Sequence, residues 1–450
     1  MKLVLCLALS VVLAVNASPV FEQEAQGQTW VLLCSGGIGW SNYAISANVY
    51  HAYQTVKKQG IPEKNIVVMH YDDLALNKAN PTQGKIVNAL DGEDVYAGVP
   101  KDYVGADVTP KNFLAILRGD PTLKAQGKKV IESGPNDKVF VYFMDHGSVG
   151  SVLFPKGYLY ADELNTQLKQ MNTDKKFAQL VFYLEACDSG SMFEKHLPTD
   201  INVYAITSSK YNELSWMCTH DTVRKTYLGG FFGVTWLNDS EANDPQIEIL
   251  DKQYAYIVEH NNFTMDKETH TQHSQHYGDL SIAHQHVSEF LGPKKVPAAF
   301  NQVHHDNVEY VNIRDVPIKL AEKNIASTDD LYEKQIYVDE LARLLKGREY
   351  VDTHLYEYVN SIQQFTAMET EQLLNSKLEL SEDMSCYKKF VDTFHNRCFN
   401  LNENTYAFGK IGVFNNICNQ MVYEGAVDIA VEYLAQYCDN HVALFQSNIE

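Results

Sequence analysis

Two apolar runs in this chain each end in a side chain that takes part in nucleophilic chemistry. The first run, Lys138–Asp145, leads into His146 and Gly147, and the second, Ala178–Ala186, leads into Cys187. Short runs rich in β-branched and aromatic residues predict buried strands of a parallel sheet. Ligands in such sheets bind at the carboxyl ends of the strands. We therefore expect an imidazole and a thiol at one sheet edge, as a cysteine nucleophile with an acid–base partner requires.

The region around these runs alternates strand-like and helix-like segments. Further strand candidates are Trp30–Cys34, Asn65–Met69 and Asn202–Ile206, and a helix is expected over Ile45–Lys58. This alternation predicts a three-layer α/β fold with a mainly parallel sheet. A length of 450 residues leaves room for a second domain.

The N-terminus predicts entry into the secretory pathway. A basic start, a short apolar core and small residues near a cleavage point indicate a signal peptide over residues 1–17, followed by a short propeptide over 18–27. The apolar stretch is too short for a good membrane span, and no later segment approaches that length. The formal net charge of −20 argues against a nucleic-acid partner, which requires a basic face. Asn238 and Asn262 begin glycosylation triplets.

The C-terminal third differs in character from the part before it. We predict a peptidase-sized α/β domain over residues 28–291, a weakly structured linker over 292–330 and a helical domain over 331–450. Exposed linkers are preferred sites of proteolysis. Cys386, Cys398, Cys418 and Cys438 cluster in the helical domain and predict two disulfides, with three pairings open. Cys187 has no cysteine close to it in the sequence, which favours a free thiol.

A set of motifs in fixed order resembles one protease family. The motifs are Tyr71–Asp73, Asp94–Tyr103, Asp107–Pro110, Asp145–Ser148 and Glu185–Ser191. Together they resemble the legumain, or asparaginyl endopeptidase, family from about Gln28 to the C-terminus. The resemblance implies a caspase-like three-layer fold, followed by an all-α, disulfide-stapled prodomain that covers the active site of a zymogen. It also implies cysteine endopeptidase activity without a cofactor, protein or peptide substrates, and inhibition by the chain's own prodomain.

The same resemblance assigns roles to individual residues. It implies that Cys187 is the nucleophile, His146 the general acid and base, and Asn42 the residue that orients the histidine. The backbone N–H groups of Gly147 and Cys187 would form the oxyanion hole.

The residues that correspond to the family's S1 pocket are substituted. The family usually has Arg-His where this chain has Ala44-Ile45, Leu-Gly-Asp where it has Leu228-Gly229-Gly230, and Ser-Ser-Tyr where it has Leu214-Ser215-Trp216, while Glu185 is retained. An asparagine side chain needs both donors and acceptors. We therefore expect a weaker preference for asparagine at P1, the residue before the cleaved bond, and a shift toward uncharged, larger or apolar residues.

Several alternatives stay open from the sequence. The chain is also consistent with a catalytically impaired paralogue that binds peptides or proteases, or with a peptide ligase in which an amine resolves the acyl-enzyme. Cystatin-type inhibitors are further partners that the family suggests. We expect a lysosome-like acidic compartment or secretion, including into a gut lumen. In the best match to the family's activation site, Asn324–Asp330, Ser327 or a nearby aspartate replaces the cleaved asparagine, so another protease would process the chain.

A dense group of histidines raises the question of a metal site. His270, His273 and His276 have a spacing that would share one helical face, and His284 and His286 follow. Because no nearby acid or cysteine completes a ligand set, we expect a solvated face that becomes charged below about pH 6.5 and predict no metal.

Overall fold

The computed structural model describes residues 27–265, 268–295, 308–423 and 425–442. The predicted signal peptide, nearly all of the predicted propeptide and residues 296–307 of the predicted linker lie outside this range. No helix in the described part of the chain is long and apolar enough to cross a membrane.

The strands, in chain order, are β1 (Thr29–Ser35), β2 (Ile66–His70), β3 (Tyr103–Val104), β4 (Lys138–Met144), β5 (Gly147–Ser148), β6 (Ser151–Leu153), β7 (Tyr158–Tyr160), β8 (Gln179–Glu185), β9 (Val203–Thr207), β10 (Trp216–Asp221), β11 (Thr226–Gly230), β12 (Asn262–Met265), β13 (Glu268–Thr271), β14 (Gln275–Gly278) and β15 (Tyr310–Asn312). The helices are α1 (Tyr43–Lys58), α2 (Pro110–Leu117), α3 (Pro121–Ala125), α4 (Ala161–Thr173), α5 (Phe231–Ala242), α6 (Leu250–His260), α7 (Ser288–Leu291), α8 (Val316–Ser327), α9 (Leu331–Ser361), α10 (Thr370–Asn375), α11 (Ser385–Arg397), α12 (Thr405–Lys410), α13 (Gly412–Asn419) and α14 (Ala426–His441).

The centre of the molecule is a seven-stranded sheet in the order β14-β9-β8-β4-β1-β2-β3. Every pairing in it is parallel except that between β14 and β9. β1, β4, β8 and β9 are almost wholly buried, as expected for strands covered on both faces. The predicted three-layer α/β fold is confirmed.

Side chains of alternate residues enter two different cores. Val31 and Leu33 face a core shared with α1, α5 and α6, whereas Leu32 and Cys34 face a core shared with α2 and α4. This follows from the two-residue period of a strand. The second core continues into the C-terminal helices, so the helical domain is packed on the peptidase domain through apolar contacts.

The C-terminal helices carry both disulfides. Cys386 bonds to Cys418 and Cys398 to Cys438, which confirms two disulfides and selects one of the three pairings. Cys34, Cys187 and Cys218 are free and buried. The free thiol predicted at Cys187 is therefore present.

Residues 308–327 do not form the weakly structured linker that the sequence predicts. This segment contains β15, which pairs antiparallel with β10 of the peptidase domain, and the twelve-residue α8. Pro317 is compatible with this helix because it lies in the first turn of α8, where its missing N–H costs no helical hydrogen bond.

Candidate active site

The in-register pairing of β4 with β8 brings the two reactive side chains to one sheet edge. Met144, the last residue of β4, lies opposite Glu185, the last residue of β8. The chain continues from these positions into His146 and Cys187. Both side chains are buried, with 5% and 1% of their surface exposed.

A hydrogen bond to Asn42 determines which nitrogen of the His146 ring carries the proton. Nε2 of His146 lies 2.9 Å from Oδ1 of Asn42, whose Nδ2 donates to the Ile38 carbonyl at 2.7 Å. An amide oxygen only accepts, so Nε2 carries the hydrogen and Nδ1 keeps its lone pair. Nδ1 is buried and has no hydrogen-bond partner within the described structure. The imidazole therefore presents an unoccupied basic nitrogen.

Burial keeps both reactive groups neutral in this state. It raises the pKa of the Cys187 thiol to about 11 and lowers the pKa of His146 to about 4, with the nearby Arg314 guanidinium contributing to the latter shift. The backbone N–H of Ser215 donates to Sγ of Cys187 at 3.2 Å. The structure is thus that of an unreactive thiol beside a neutral imidazole.

Arg314, which the sequence did not single out, lies over the nucleophile. Its guanidinium donates to the Gly147 carbonyl at 2.8 Å and to Oδ2 of Asp188 at 2.7 Å. Asp188 itself has a left-handed backbone, with φ of 53°. The segment after β15 therefore places a cation against the residues that flank Cys187.

Gly147 is required by a close backbone approach. A Cβ at this position would lie 2.0 Å from the carbonyl oxygen of Cys187. Gly36 has a similar role, since its Cβ would lie 2.0 Å from Oδ2 of Asp145. Burial raises the pKa of Asp145 well above its usual value, and its Oδ2 has no hydrogen-bond partner among the described residues.

The structure places the predicted S1 residues in two environments. Ala44 and Ile45, near the start of α1, are buried in the same apolar core as Cys187. Leu214 and Trp216 are partly exposed, and Leu214 lines a cavity of about 370 Å³ together with Asp188 and Arg314. A second cavity, of about 460 Å³, lies against Asn42 and His146.

The side chains that donate hydrogen bonds to Glu185 are neutral. The Tyr142 hydroxyl donates to its Oε2 at 2.6 Å, and Nδ2 of Asn48 donates to the same atom at 3.2 Å. Burial raises the pKa of Glu185 to about 7. An aspartate at Gly230 does not fit without repacking, because its Cβ would lie 2.3 Å from Cε of Met144 and 2.4 Å from Oε1 of Glu185.

His270, His273 and His276 lie on two strands and the turn between them, not on one face of a helix, and His284 ends a short 3-10 helix. His270 is in β13 and His276 in β14, where the His276 ring stacks on Tyr254 at 4.1 Å. Across the described residues, no group of three His, Cys, Asp or Glu side chains is arranged to hold a metal ion.

The burial of Glu185 predicts a loss of stability with rising pH. The folded protein holds this proton up to about pH 7, whereas the unfolded chain releases it near its ordinary value of 4.5. Stability therefore falls as the pH rises between these values, by roughly 3 kcal/mol at about 1.4 kcal/mol per pH unit. Glu185→Gln mimics the protonated acid and should raise stability at pH 7.5 by most of that amount, with little change at pH 4.5.

Thermal unfolding of the full-length protein at these two pH values measures the effect. Glu340→Gln, an exchange at an exposed position of α9, is the matched control and should leave the stability unchanged at both pH values. Equal stabilisation by Glu185→Gln at both pH values would contradict the assignment of a raised pKa.

Comparison with known proteins supports the sequence resemblance. Residues 29–293 match the family model for the peptidase C13 family, and residues 339–438 match that for the legumain prodomain. Human legumain is 40% identical over 419 residues, which is 92% of this chain and 94% of that protein. Vacuolar-processing enzyme from Vicia sativa is 36% identical, covering 89% of this chain and 84% of its own length.

Two further proteins are more distant. Hemoglobinase from Schistosoma mansoni is 32% identical, covering 88% of this chain and 89% of its own length. Caspase-1 from Spodoptera frugiperda aligns with 62% of this chain and 92% of its own at a TM-score of 0.33 and 9% identity. The two matching family models and the identity over most of the chain together show that it belongs to the legumain family of cysteine endopeptidases, peptidase family C13, and carries that family's C-terminal prodomain.

Proposed function

We propose that this chain is a latent endopeptidase of acidic compartments in which Cys187 and His146 carry out the reaction and the S1 pocket no longer favours asparagine. The observation that carries the catalytic part is the hydrogen bond from His146 Nε2 to Asn42, because it leaves Nδ1 free as the base. The retained arrangement argues against an impaired paralogue that only binds peptides.

The chemistry follows from these positions once the site is exposed. Nδ1 of His146 accepts the proton of the Cys187 thiol, and the thiolate attacks the carbonyl carbon of the cleaved bond. The N–H groups of Gly147 and Cys187 stabilise the oxyanion of the tetrahedral intermediate. His146 returns the proton to the leaving amine, which gives an acyl-enzyme. Water then hydrolyses the thioester. An incoming amine would instead give a new peptide bond, which is the ligase alternative.

The prodomain supports latency by polar contacts as well as apolar ones. The hydroxyls of Tyr158 and Tyr160 donate to Oδ1 of Asp392 at 2.7 and 3.0 Å. Nδ2 of Asn402 donates to the carbonyls of Phe154 and Gly157, each at 2.9 Å. These contacts join the helical domain to the peptidase domain beside the site, so release requires them to break.

Acidification favours release through two histidines that the latent state shields from solvent, His146 fully and His395 in part. Burial lowers the pKa of His395, whose ring lies edge-on to Tyr158 at 5.5 Å, and lowers that of His146. Such groups bind protons more readily once exposed, so lowering the pH through the ordinary range of histidine shifts the equilibrium toward the open form.

Processing is proposed in the short connection between α8 and α9. Asp329 is exposed there, between Ser327 at the end of α8 and Asp330 at the N-cap of α9. This agrees with the predicted replacement of the family's cleaved asparagine by Ser327 or a nearby aspartate.

The substituted S1 residues support a weaker preference for asparagine. The side chains of Ala44 and Ile45 are apolar and belong to the core that also contains Cys187. An amide buried there without partners loses its hydrogen bonds to water. A protein substrate with an uncharged, larger side chain at P1 is the better match.

We also propose a secreted or lysosome-like location, which agrees with the acidic composition of the chain. Cystatin-type inhibitors are further proposed partners.

One of the two glycosylation triplets is the better candidate for modification. Asn262 is exposed, and its Nδ2 donates to the Glu259 carbonyl. Asn238 lies in α5, and the hydroxyl of its triplet, Ser240, is buried and accepts from Gln253. Asn262 is therefore the better acceptor.

Substitution of the two reactive residues tests the catalytic assignment. Cys187→Ala and His146→Ala should each lower peptidase activity by at least about 10³-fold after processing, because nucleophile and base act as a unit. Both variants should keep the wild-type circular dichroism spectrum. Activity in Cys187→Ala near the wild-type level would refute the proposal.

Replacement of His395 tests the acid response. His395→Gln removes the group that gains a proton on release, so the pH at which half of the protein is activated should fall. His284→Gln changes an exposed histidine of the peptidase domain and should leave that pH unaltered. Activity assays after incubation across pH 3.5 to 7 measure the midpoint. An unchanged or higher midpoint for His395→Gln would remove this residue from the mechanism.

A further inference from the structure

β15 occupies the free edge of a strand that runs beside the nucleophile. The small sheet has the order β11-β10-β15, and β15 pairs with β10 in antiparallel register, with Asn312 opposite Trp216 and Tyr310 opposite Cys218. An extended peptide that adds a strand to a sheet edge gains affinity from its backbone and specificity from alternate side chains. Removal of β15 leaves this edge of β10 open.

The hydrogen bonds continue past the strand and reach the reactive centre. The N–H of Ile313 donates to the Ser215 carbonyl at 3.1 Å, while the N–H of Ser215 donates to Sγ of Cys187 at 3.2 Å. Ile313 is thus held by the same residue that contacts the thiol. In a peptide bound along this edge, Ile313 has the position of the residue before the cleaved bond.

The side chain of Ile313 is buried in an apolar environment. It is 2% exposed and belongs to the core that contains Ala44, Ile45 and Cys187. Two of these are predicted S1 residues. A branched aliphatic side chain is therefore the group that this chain itself buries at the position next to Ser215, whose N–H contacts the thiol.

Tyr310, three residues earlier, fills an aromatic site. It is 6% exposed, its ring stacks on Phe263 at 4.3 Å, and it lies at 4.9 Å from Phe231. Trp216 extends the same cluster, at 4.8 Å from Phe263. A large aromatic side chain at this position contacts rings on two sides.

The chain turns immediately after Ile313, which explains how this segment avoids cleavage. Ile313–Asp315 form a turn of 3-10 helix, and the N–H of Arg314 donates to Oδ1 of Asn312 at 2.8 Å. The Arg314 side chain then folds back onto Gly147 and Asp188. The bond after Ile313 is therefore not in the extended form that a protease cuts.

From this geometry we infer that Tyr310-Val311-Asn312-Ile313 is a built-in copy of the preferred substrate, bound at subsites S4 to S1. Resting on the proposed peptidase function, the inference names the substrate class: peptides with a branched aliphatic residue at P1 and an aromatic residue at P4. The same segment inhibits the site because it carries these side chains without an extended bond to cut.

Fluorogenic peptides test the inference on acid-processed protein whose intact mass shows that the residues from Tyr310 onward have been removed. Acyl-Tyr-Val-Asn-Ile-aminocoumarin should be cleaved with a kcat/KM at least about tenfold above that of acyl-Tyr-Val-Asn-Asn-aminocoumarin, since an apolar pocket discriminates by fit. Acyl-Ala-Val-Asn-Ile-aminocoumarin should show a KM several-fold higher than that of acyl-Tyr-Val-Asn-Ile-aminocoumarin. A preference for asparagine over isoleucine overturns the inference alone. No cleavage of any of the three peptides overturns the proposed peptidase function and the inference with it.

Variants of the full-length chain give a second test. Ile313→Asp should raise activity before processing at pH 7 by at least about tenfold, because a charge cannot remain in an apolar pocket. Ile313→Val keeps a branched side chain and is the matched control, with latency close to that of the wild type. Full latency of a folded Ile313→Asp protein would show that the side chain does not occupy the pocket and would overturn the inference.

Discussion

The parallel pairing of β4 with β8 is the constraint on which the rest of the site depends. A shift of one residue in this register would turn alternate side chains to the opposite face. It would also move His146 relative to Cys187, because each follows the last residue of its strand by only two positions. The side chains of β4 and β8 belong to two cores, one of which includes the prodomain. The catalytic geometry is thus fixed by the hydrophobic core of the whole molecule.

Two features of the latent protein act together on the site. Burial raises the pKa of Cys187 and lowers that of His146, so neither group is charged at a pH above about 4. In the same state the apolar side chain of Ile313 is buried, and the cation of Arg314 binds Asp188 next to the nucleophile. Cleavage between α8 and α9 leaves both residues attached to the peptidase domain, so the free edge of β10 and the nucleophile are exposed only when the segment that carries them also leaves.

The sequence predicted the elements whose signals are local. Five of the seven strands of the central sheet, α1, the pairing of His146 with Cys187 and the presence of two disulfides all follow from short patterns or from family motifs, whereas β3 and β14 were not predicted. β15 was missed because its pairing joins residues far apart in the chain, Asn312 and Trp216, and three residues carry little periodicity. Arg314 has no local pattern at all, and its role comes only from where α8 and β15 are packed.

The S1 region likewise combines features that the sequence predicts with features that depend on packing. Substitution at Ala44, Ile45 and Gly230 predicted the loss of polar recognition from sequence alone. The sequence did not show that Tyr142 and Asn48 would donate to Oε2 of Glu185, since their contacts depend on the packing of α1 against β4 and β8.

Thiol labelling resolved by peptide mass spectrometry tests the central claim, a buried nucleophile that is released by processing. The chain has three free cysteines among the described residues, and Cys34 and Cys218 serve as internal references for unfolding. At pH 5, iodoacetamide should leave all three unmodified in the full-length protein and should modify only Cys187 after processing. Equal labelling of Cys187 before and after processing, or none in either form, would contradict the account.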